Sequence, residues 1–169
     1  MRPISFPSIR LAQLAALYYR HPDLHAKILA ANEVHDIRRL FEVSASSYWD
    51  THFLFDRDSH ICMSKQLGKS TIESIIINGI VPFLFAFGQY RADDSMVEKA
   101  IYFLESLSSE RNSIIKEWKK YQVIPENAFQ SQGLIQLKKH YCDQKRCLEC
   151  AFGHKVLKSM SDQVKEERV

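Results

Sequence analysis

STIESIIINGIVPFLFAFGQY, residues 70–90, is the stretch whose reading decides the fold. Gly68 punctuates the chain before it, and Ser70 is placed to cap a helix running from Thr71 to about Tyr90. Apolar side chains fall on nearly every side of that helix, which is the pattern of a helix buried at the centre of a bundle. Pro82 should kink it and free the carbonyl of Asn78, leaving Asn78 to hydrogen-bond locally. The apolar run from Ile72 to Phe87 is interrupted by Glu73, Asn78, Gly79 and Pro82. It is too short to span a bilayer comfortably, so the expectation is a core helix of a protein with no membrane partner.

The neighbouring segments read as helices that would pack around it. The first should begin at Ser8 as its cap, with an inward stripe of Ile9, Leu11, Ala12, Leu14, Ala15, Ala16 and Tyr18. Pro22 breaks that run. Asp23 to Ala31 follows with Leu24, Ile28 and Leu29 inward, and a shorter helix lies around Asp36 to Phe41. Ser44 to Met63 has no clean period and reads as mostly loop. Asp94 to Leu107 (Val97, Ala100, Ile101, Leu104) and Arg111 to Tyr121 (Ile114, Ile115, Trp118) repeat the helical spacing, and their short link predicts an αα-hairpin. Pro125 opens a helix to about Tyr141 that buries Phe129, Leu134, Ile135, Leu137 and Tyr141, and a last helix follows Cys147. The predicted fold is an all-α, single-domain multi-helix bundle over residues 1–169. It has a long buried central helix, one irregular loop at about 44–66 and a frayed tail at about 160–169.

Composition agrees with helix. The 169 residues are 46% hydrophobic and contain only five glycines and five prolines. The net charge of +3 is too small to argue for a nucleic-acid partner, although residues 111–158 carry ten bases against four acids. Such a segment is a modest anion-binding face or, more commonly, the solvated side of helices. Met1 to Ser8 holds two prolines and no apolar run, so no signal peptide is expected and the cytoplasm is the expected compartment. There, four cysteines should be thiols or metal ligands.

Three groups of residues are candidates for chemistry. The first is Cys142, Cys147 and Cys150 with His154, flanked by His140. Cys147 and Cys150 lie one turn apart at an expected helix start, where the dipole together with Lys145 and Arg146 would lower thiol pKa values. Three thiolates and an imidazole, or the remote Cys62, would make a tetrahedral zinc site. The spacing also matches three ligands of plant-type ferredoxins, but those place a fourth cysteine downstream and sit beside a sheet. Plain reduced thiols, or a redox pair, are the other readings. The second group is Trp49, Asp50 and His52 with Tyr48, Asp56, Asp58 and His60. It could form a small-molecule site over a cleft, or a loop anchored by its aromatic residues. The third is Arg2, Arg10 and Gln13, of which the last two are i, i+3 neighbours able to grip a carboxylate or to cap carbonyls of another element.

Four motifs occur here in a recognisable order. They are Arg2-Pro3-x-x-Phe6-Pro7-x-Ile9-Arg10-x-Ala12-Gln13-Leu14-Ala15, Tyr48-Trp49-Asp50-Thr51-His52, Leu67-Gly68-Lys69-Ser70 leading to Val81-Pro82-Phe83-Leu84-Phe85, and Tyr141-Cys142 to Cys150. In these the chain resembles the uncharacterised Bacteroidetes domain-of-unknown-function family numbered 2851, over essentially its whole length. The resemblance implies that the chain corresponds to the C-terminal part of longer members. It implies no activity, cofactor or catalytic residue. The leading expectation is a helical accessory or protein-interaction module that packs against an upstream domain or a second copy of itself. The alternative is a metal-containing domain of a nucleic-acid-processing protein, with zinc or an iron–sulfur cluster, and small-molecule binding by the 48–60 loop is a third. None of the three provides a catalytic arrangement.

Overall fold

A computed structural model describes residues 6–155 and Lys158. The expected fraying of 160–169, and Arg2 of the third candidate group, lie outside the described residues. The fold is mostly α-helical, as the periodicity requires, and the chain divides into two compact units, 1–107 and 108–169.

In the first unit α1 (Pro7–Arg20), α2 (Leu24–Ala30) and α3 (Val34–Phe41) follow one another closely. Ser8 does not cap α1. Pro7 occupies its first turn, where a missing N–H costs nothing, and the Ser8 hydroxyl donates to the carbonyl of Phe53 instead. The stripe expected to face inward is also displaced: Ile9, Gln13 and Leu17 are buried, while Leu11, Leu14, Ala15 and Tyr18 are exposed. At the start of α3 the Asp36 carboxylate accepts the Glu33 N–H at 3.2 Å.

The segment expected to be mostly loop contains a helical turn at Ser47–Asp50 and a small antiparallel hairpin, β1 (His52–Leu54) and β2 (Arg57–Asp58). Asp56 makes the reversal possible by adopting φ 54°, a left-handed conformation that aspartate tolerates. The rest of the segment is bound back on itself, with Ala45 N–H donating to Lys65 O at 3.2 Å and Leu67 N–H to Val43 O at 2.9 Å.

The long helix runs from Lys69 to Arg91, as α4 (Lys69–Ile75), one wide turn at Ile76–Ile80 and α5 (Val81–Arg91). Gly68, not Ser70, stands at its N-cap. The wide turn answers the problem posed by Pro82. Proline cannot donate to the carbonyl four residues back, and here Val81 N–H reaches five back, to Ile76 O. Asn78 bonds locally as expected, donating to Ser74 O at 3.0 Å.

Burial of this helix is one-sided. Ile72, Ile76, Ile77, Ile80, Val81, Leu84 and Gly88 face the core, while Asn78, Gly79, Pro82, Phe85, Ala86 and Tyr90 are exposed. The expectation of a helix buried all round is therefore corrected. At 23 residues and a mean hydropathy of 1.7 over its most apolar window, it is long and apolar enough to cross a bilayer by length and composition alone. In the fold, 39% of that window is buried.

Ala92, at φ 51°, ends α5, and Asp93 caps α6 (Asp94–Ser106) by accepting the Ser95 N–H. α6 returns against α5 at Gly88, where a Cβ would lie 2.9 Å from Val97 Cγ2 and 3.0 Å from Asp93 O. Lys99 donates to Leu29 O and the Tyr102 hydroxyl to Glu33, tying α6 to the end of α2 and the start of α3. Arg38 and Glu73 join α3 to α4.

The second unit holds α7 (Ser113–Lys120) and α8 (Ala128–Leu137). α6 thus ends within one unit and α7 lies in the other. Asn112 and Asn127 cap α7 and α8 through their side chains. The Trp118 indole N–H donates to Leu134 O at 3.2 Å, and Ile115, Ala128, Ser131 and Cys150 are buried. Phe129, expected inside, is 47% exposed. A wide turn at Lys138–Cys142, a short turn at Cys147–Glu149 and helical residues 151–155 follow.

Candidate functional site

The first unit is organised around a lysine. Lys65 is fully buried, and its ammonium donates to the carbonyls of Met63 at 2.9 Å and Asp50 at 3.2 Å. The ring of Phe53 lies 4.3 Å away. No carboxylate among the described residues pairs with it. Carbonyl dipoles and an aromatic face carry the charge instead, an arrangement that tolerates a buried cation only when every donor is directed. The backbone carbonyl of Lys65 in turn accepts from Gln13 Nε2 at 2.9 Å, and Gln13 Oε1 accepts from Arg10 at 3.0 Å. A chain of polar contacts therefore runs from α1 through Gln13 and Lys65 to Asp50.

This gives Arg10, Gln13, Trp49, Asp50 and His52 their places. Arg10 and Gln13 do meet as predicted, but they brace the loop; Gln13 is 2% exposed and its amide is spent on Lys65. Trp49 packs with Ile9 and Ala45, so it anchors the loop. Asp50 contributes its backbone carbonyl, which also accepts the Met63 N–H. His52 stacks on Tyr48 at 4.0 Å between ring centroids. Its Nδ1 lies 2.8 Å from Tyr48 O and its Nε2 3.0 Å from Asp58 Oδ1, so both nitrogens are engaged within the 48–58 segment. Lys65 itself gave no signal in the sequence, because a lone lysine is ordinarily a surface residue.

The brace fixes the rotation of α1. With Ile9, Gln13 and Leu17 turned inward, Leu11, Leu14, Ala15 and Tyr18 form an outward row at i, i+3, i+4 and i+7. Leu11 is 65% exposed and Tyr19 beside the row is 91% exposed. A groove of about 520 Å³ runs alongside, floored by Ala12, Ala15 and Ala16 and walled by Tyr19, Val43 and Trp49. Isolated exposed apolar residues are ordinary, but four in register on one helix form a surface of the kind that partners cover.

The cysteine group belongs to the second unit. Cys142 and Cys147 are exposed and Cys150 is buried. Among the described residues no three His, Cys, Asp or Glu side chains stand together as a group able to hold a metal ion. His154 is exposed, and its backbone N–H donates to Cys150 O at 2.8 Å. Cys142 precedes the expected helix start, and its thiol pKa is raised. Partial burial pushes it above the ordinary thiol value, and the nearby Cys150 adds to the rise. Of the neighbouring bases, Lys138 only partly offsets that rise, and Arg146 is engaged elsewhere. Arg146 pairs with Glu149, which raises the guanidinium and lowers the carboxyl, and lies 5.6 Å from the Tyr141 ring. Lys138 pairs with Asp143 and is raised by it.

Comparison with known proteins yields one family. No curated protein and no solved structure matches the chain. The family model matches residues 1–113, which takes in the first unit with the Gln13–Lys65 brace, the 48–52 motif and the long helix. The cysteine segment lies outside the matched residues, so the match is shorter than the whole-chain resemblance expected from the motifs. The chain belongs to the family described as protein of unknown function DUF2851.

Proposed function

We propose that the chain is a helical accessory module whose task is to bind another protein surface through α1. The observation that carries this reading is the outward row Leu11, Leu14, Ala15 and Tyr18, held outward because Gln13 is locked to Lys65 on the opposite side. Helix-on-helix recognition uses this spacing, with apolar anchors at i, i+3, i+4 and i+7.

A second copy of the chain is the partner that fits. The same face carries projecting side chains (Leu11, Leu14, Tyr18) and an alanine-floored groove of about 520 Å³ beside them. A two-fold relation seats the projections of one copy in the groove of the other, which is the self-complementarity an isologous dimer needs.

Photo-oxidative tyrosine cross-linking tests the pairing. A cross-linked dimer whose bridge maps to the peptide containing Tyr18 and Tyr19, and which is lost in the Tyr18→Phe, Tyr19→Phe double variant, is the expected result. Cross-links confined to Tyr90 or Tyr121, both also exposed, would count against α1 as the face.

A further inference from the structure

The second unit carries an apolar slot of about 420 Å³ between the 123–125 segment, α8 and Phe152. Its walls are Val123, Ile124, Leu134, Leu137 and Phe152, and Ile124 and Phe152 are 67% and 69% exposed. The slot is held in shape from both ends. Gln122 at φ 62° turns the chain out of α7, and the Gln130 side chain accepts the Glu126 N–H at 2.9 Å across the start of α8.

Its floor includes Gly133. A glycine inside a helix costs about 1 kcal/mol relative to alanine and is usually explained by a close neighbour. Here a Cβ would meet nothing within 4 Å. What the missing side chain provides is the open floor of the slot.

The surroundings are basic. Residues 108–155 hold nine Lys and Arg against five Asp and Glu, a net +4. Two of those acids, Asp143 and Glu149, are already neutralised by Lys138 and Arg146. Lys119 and Lys120 end α7 just before the 123–125 wall, and Lys155 lies one turn beyond Phe152. All three are exposed, with no ion-pair partner among the described residues. An apolar slot whose walls are bordered along the chain by exposed lysines, in a segment of net positive charge, complements a segment with apolar anchors and acidic flanks.

From this geometry and charge we infer that the slot is a docking site for an acidic amphipathic helix of a partner protein. A lipid surface is the weaker fit, because a concave slot receives side chains whereas membrane insertion needs projecting ones. A nucleic acid would find Gln130 as the one polar side chain in the lining. The inference goes beyond the α1 reading and does not rest on it: the slot lies in the other unit and stands if α1 proves inert.

The test uses the full chain and a fluorescent synthetic helix-forming peptide, with leucines at i, i+3, i+4 and i+7 and glutamates elsewhere. Anisotropy should show saturable binding that weakens as salt rises and is lost with a scrambled peptide. Gly133→Leu projects into the slot from a position where an added Cβ meets nothing within 4 Å, so the protein should stay folded by circular dichroism while affinity falls by about tenfold or more. Ile124→Glu should do the same by charge, and Leu14→Glu in α1 should leave peptide binding unchanged. The proposal is overturned if the peptide does not saturate, or if Gly133→Leu binds it as wild type does. It is also overturned if phosphatidylserine vesicles or single-stranded DNA bind with the same dependence on Gly133 while the peptide does not.

Discussion

Gln13 Nε2 donates to the backbone carbonyl of Lys65 at 2.9 Å, across 52 residues of sequence, and both residues are buried. This contact joins α1 to the loop that precedes the long helix, and it decides which side of α1 meets solvent. The side chain of Lys65 extends the same brace to Asp50 and Met63. Removing it should therefore loosen the loop and the helix together. Lys65→Ala leaves a cavity, takes the ammonium donor from Met63 O and leaves Asp50 O with the Met63 N–H alone, and should cost about 2–4 kcal/mol of stability. Urea denaturation followed by Trp49 emission, in a Trp118→Phe background, measures this; an unchanged midpoint would show that the ammonium braces nothing. Lys65→Met fills the space without the donor and should cost less.

Two glycines of the long helix should respond in opposite ways. At Gly88 a Cβ would press on Val97, Asp93 and Met96, so Gly88→Ala should destabilise by about 1–3 kcal/mol by forcing α5 and α6 apart. At Gly79 a Cβ meets nothing within 4 Å, and Gly79→Ala should be neutral or stabilise by up to about 1 kcal/mol. Thermal melts of the two variants compare them directly. Equal shifts would mean that the α5–α6 packing is looser than Gly88 requires.

These contrasts show what the sequence could and could not reveal. Helix positions followed from periodicity and from Pro22, Gly68 and Pro125, and Asn78 behaves as its place before Pro82 requires. The rotation of α1 did not follow. Its apolar residues surround the helix, so hydrophobicity alone turned Leu11, Leu14 and Tyr18 inward, and the deciding partner of Gln13 is a carbonyl far along the chain. Lys65 escaped notice for a related reason, since a lysine held by carbonyls has no charged partner to search for. The hairpin at 52–58 depends on Asp56 accepting a positive φ, and the wide turn before Pro82 accommodates its missing N–H; neither leaves a period in the sequence. At the cysteines the spacing was legible, but it did not reveal that partial burial outweighs the neighbouring bases at Cys142.

The thiol of Cys142 should react slowly for this reason. Partial burial, with Cys150 nearby, raises its pKa, so less thiolate is present at neutral pH than in an unfolded chain. Iodoacetamide labelling followed by mass spectrometry should show Cys142 reaching its half-maximal rate at a more alkaline pH than the same cysteine in urea. The sign of the linkage follows. The folded chain holds this proton more tightly, so its contribution to stability is complete below the ordinary thiol value and is lost as pH rises through the raised one. A labelling curve shifted to lower pH would contradict the burial assignment.

The caps of the second unit offer a local check. The Asn127 side chain accepts the Gln130 N–H at 3.0 Å, and Asn127→Ala should cost about 1 kcal/mol and fray the start of α8. Amide exchange at the first turn of α8 should speed up while α1 is unaffected. Unchanged exchange at Gln130 would remove the cap from the account.

The central claim is that the outward row of α1 is a pairing face, and the molar mass of the chain in solution tests it most directly. Light scattering behind size exclusion should give a mass that rises toward twice the 19.7 kDa of the chain with increasing protein concentration. Leu14→Glu and Tyr18→Glu should hold the protein at a single-chain mass while its helical circular dichroism is retained. A wild-type protein that remains a single chain at every concentration, or charge variants that pair as the wild type does, would contradict the account.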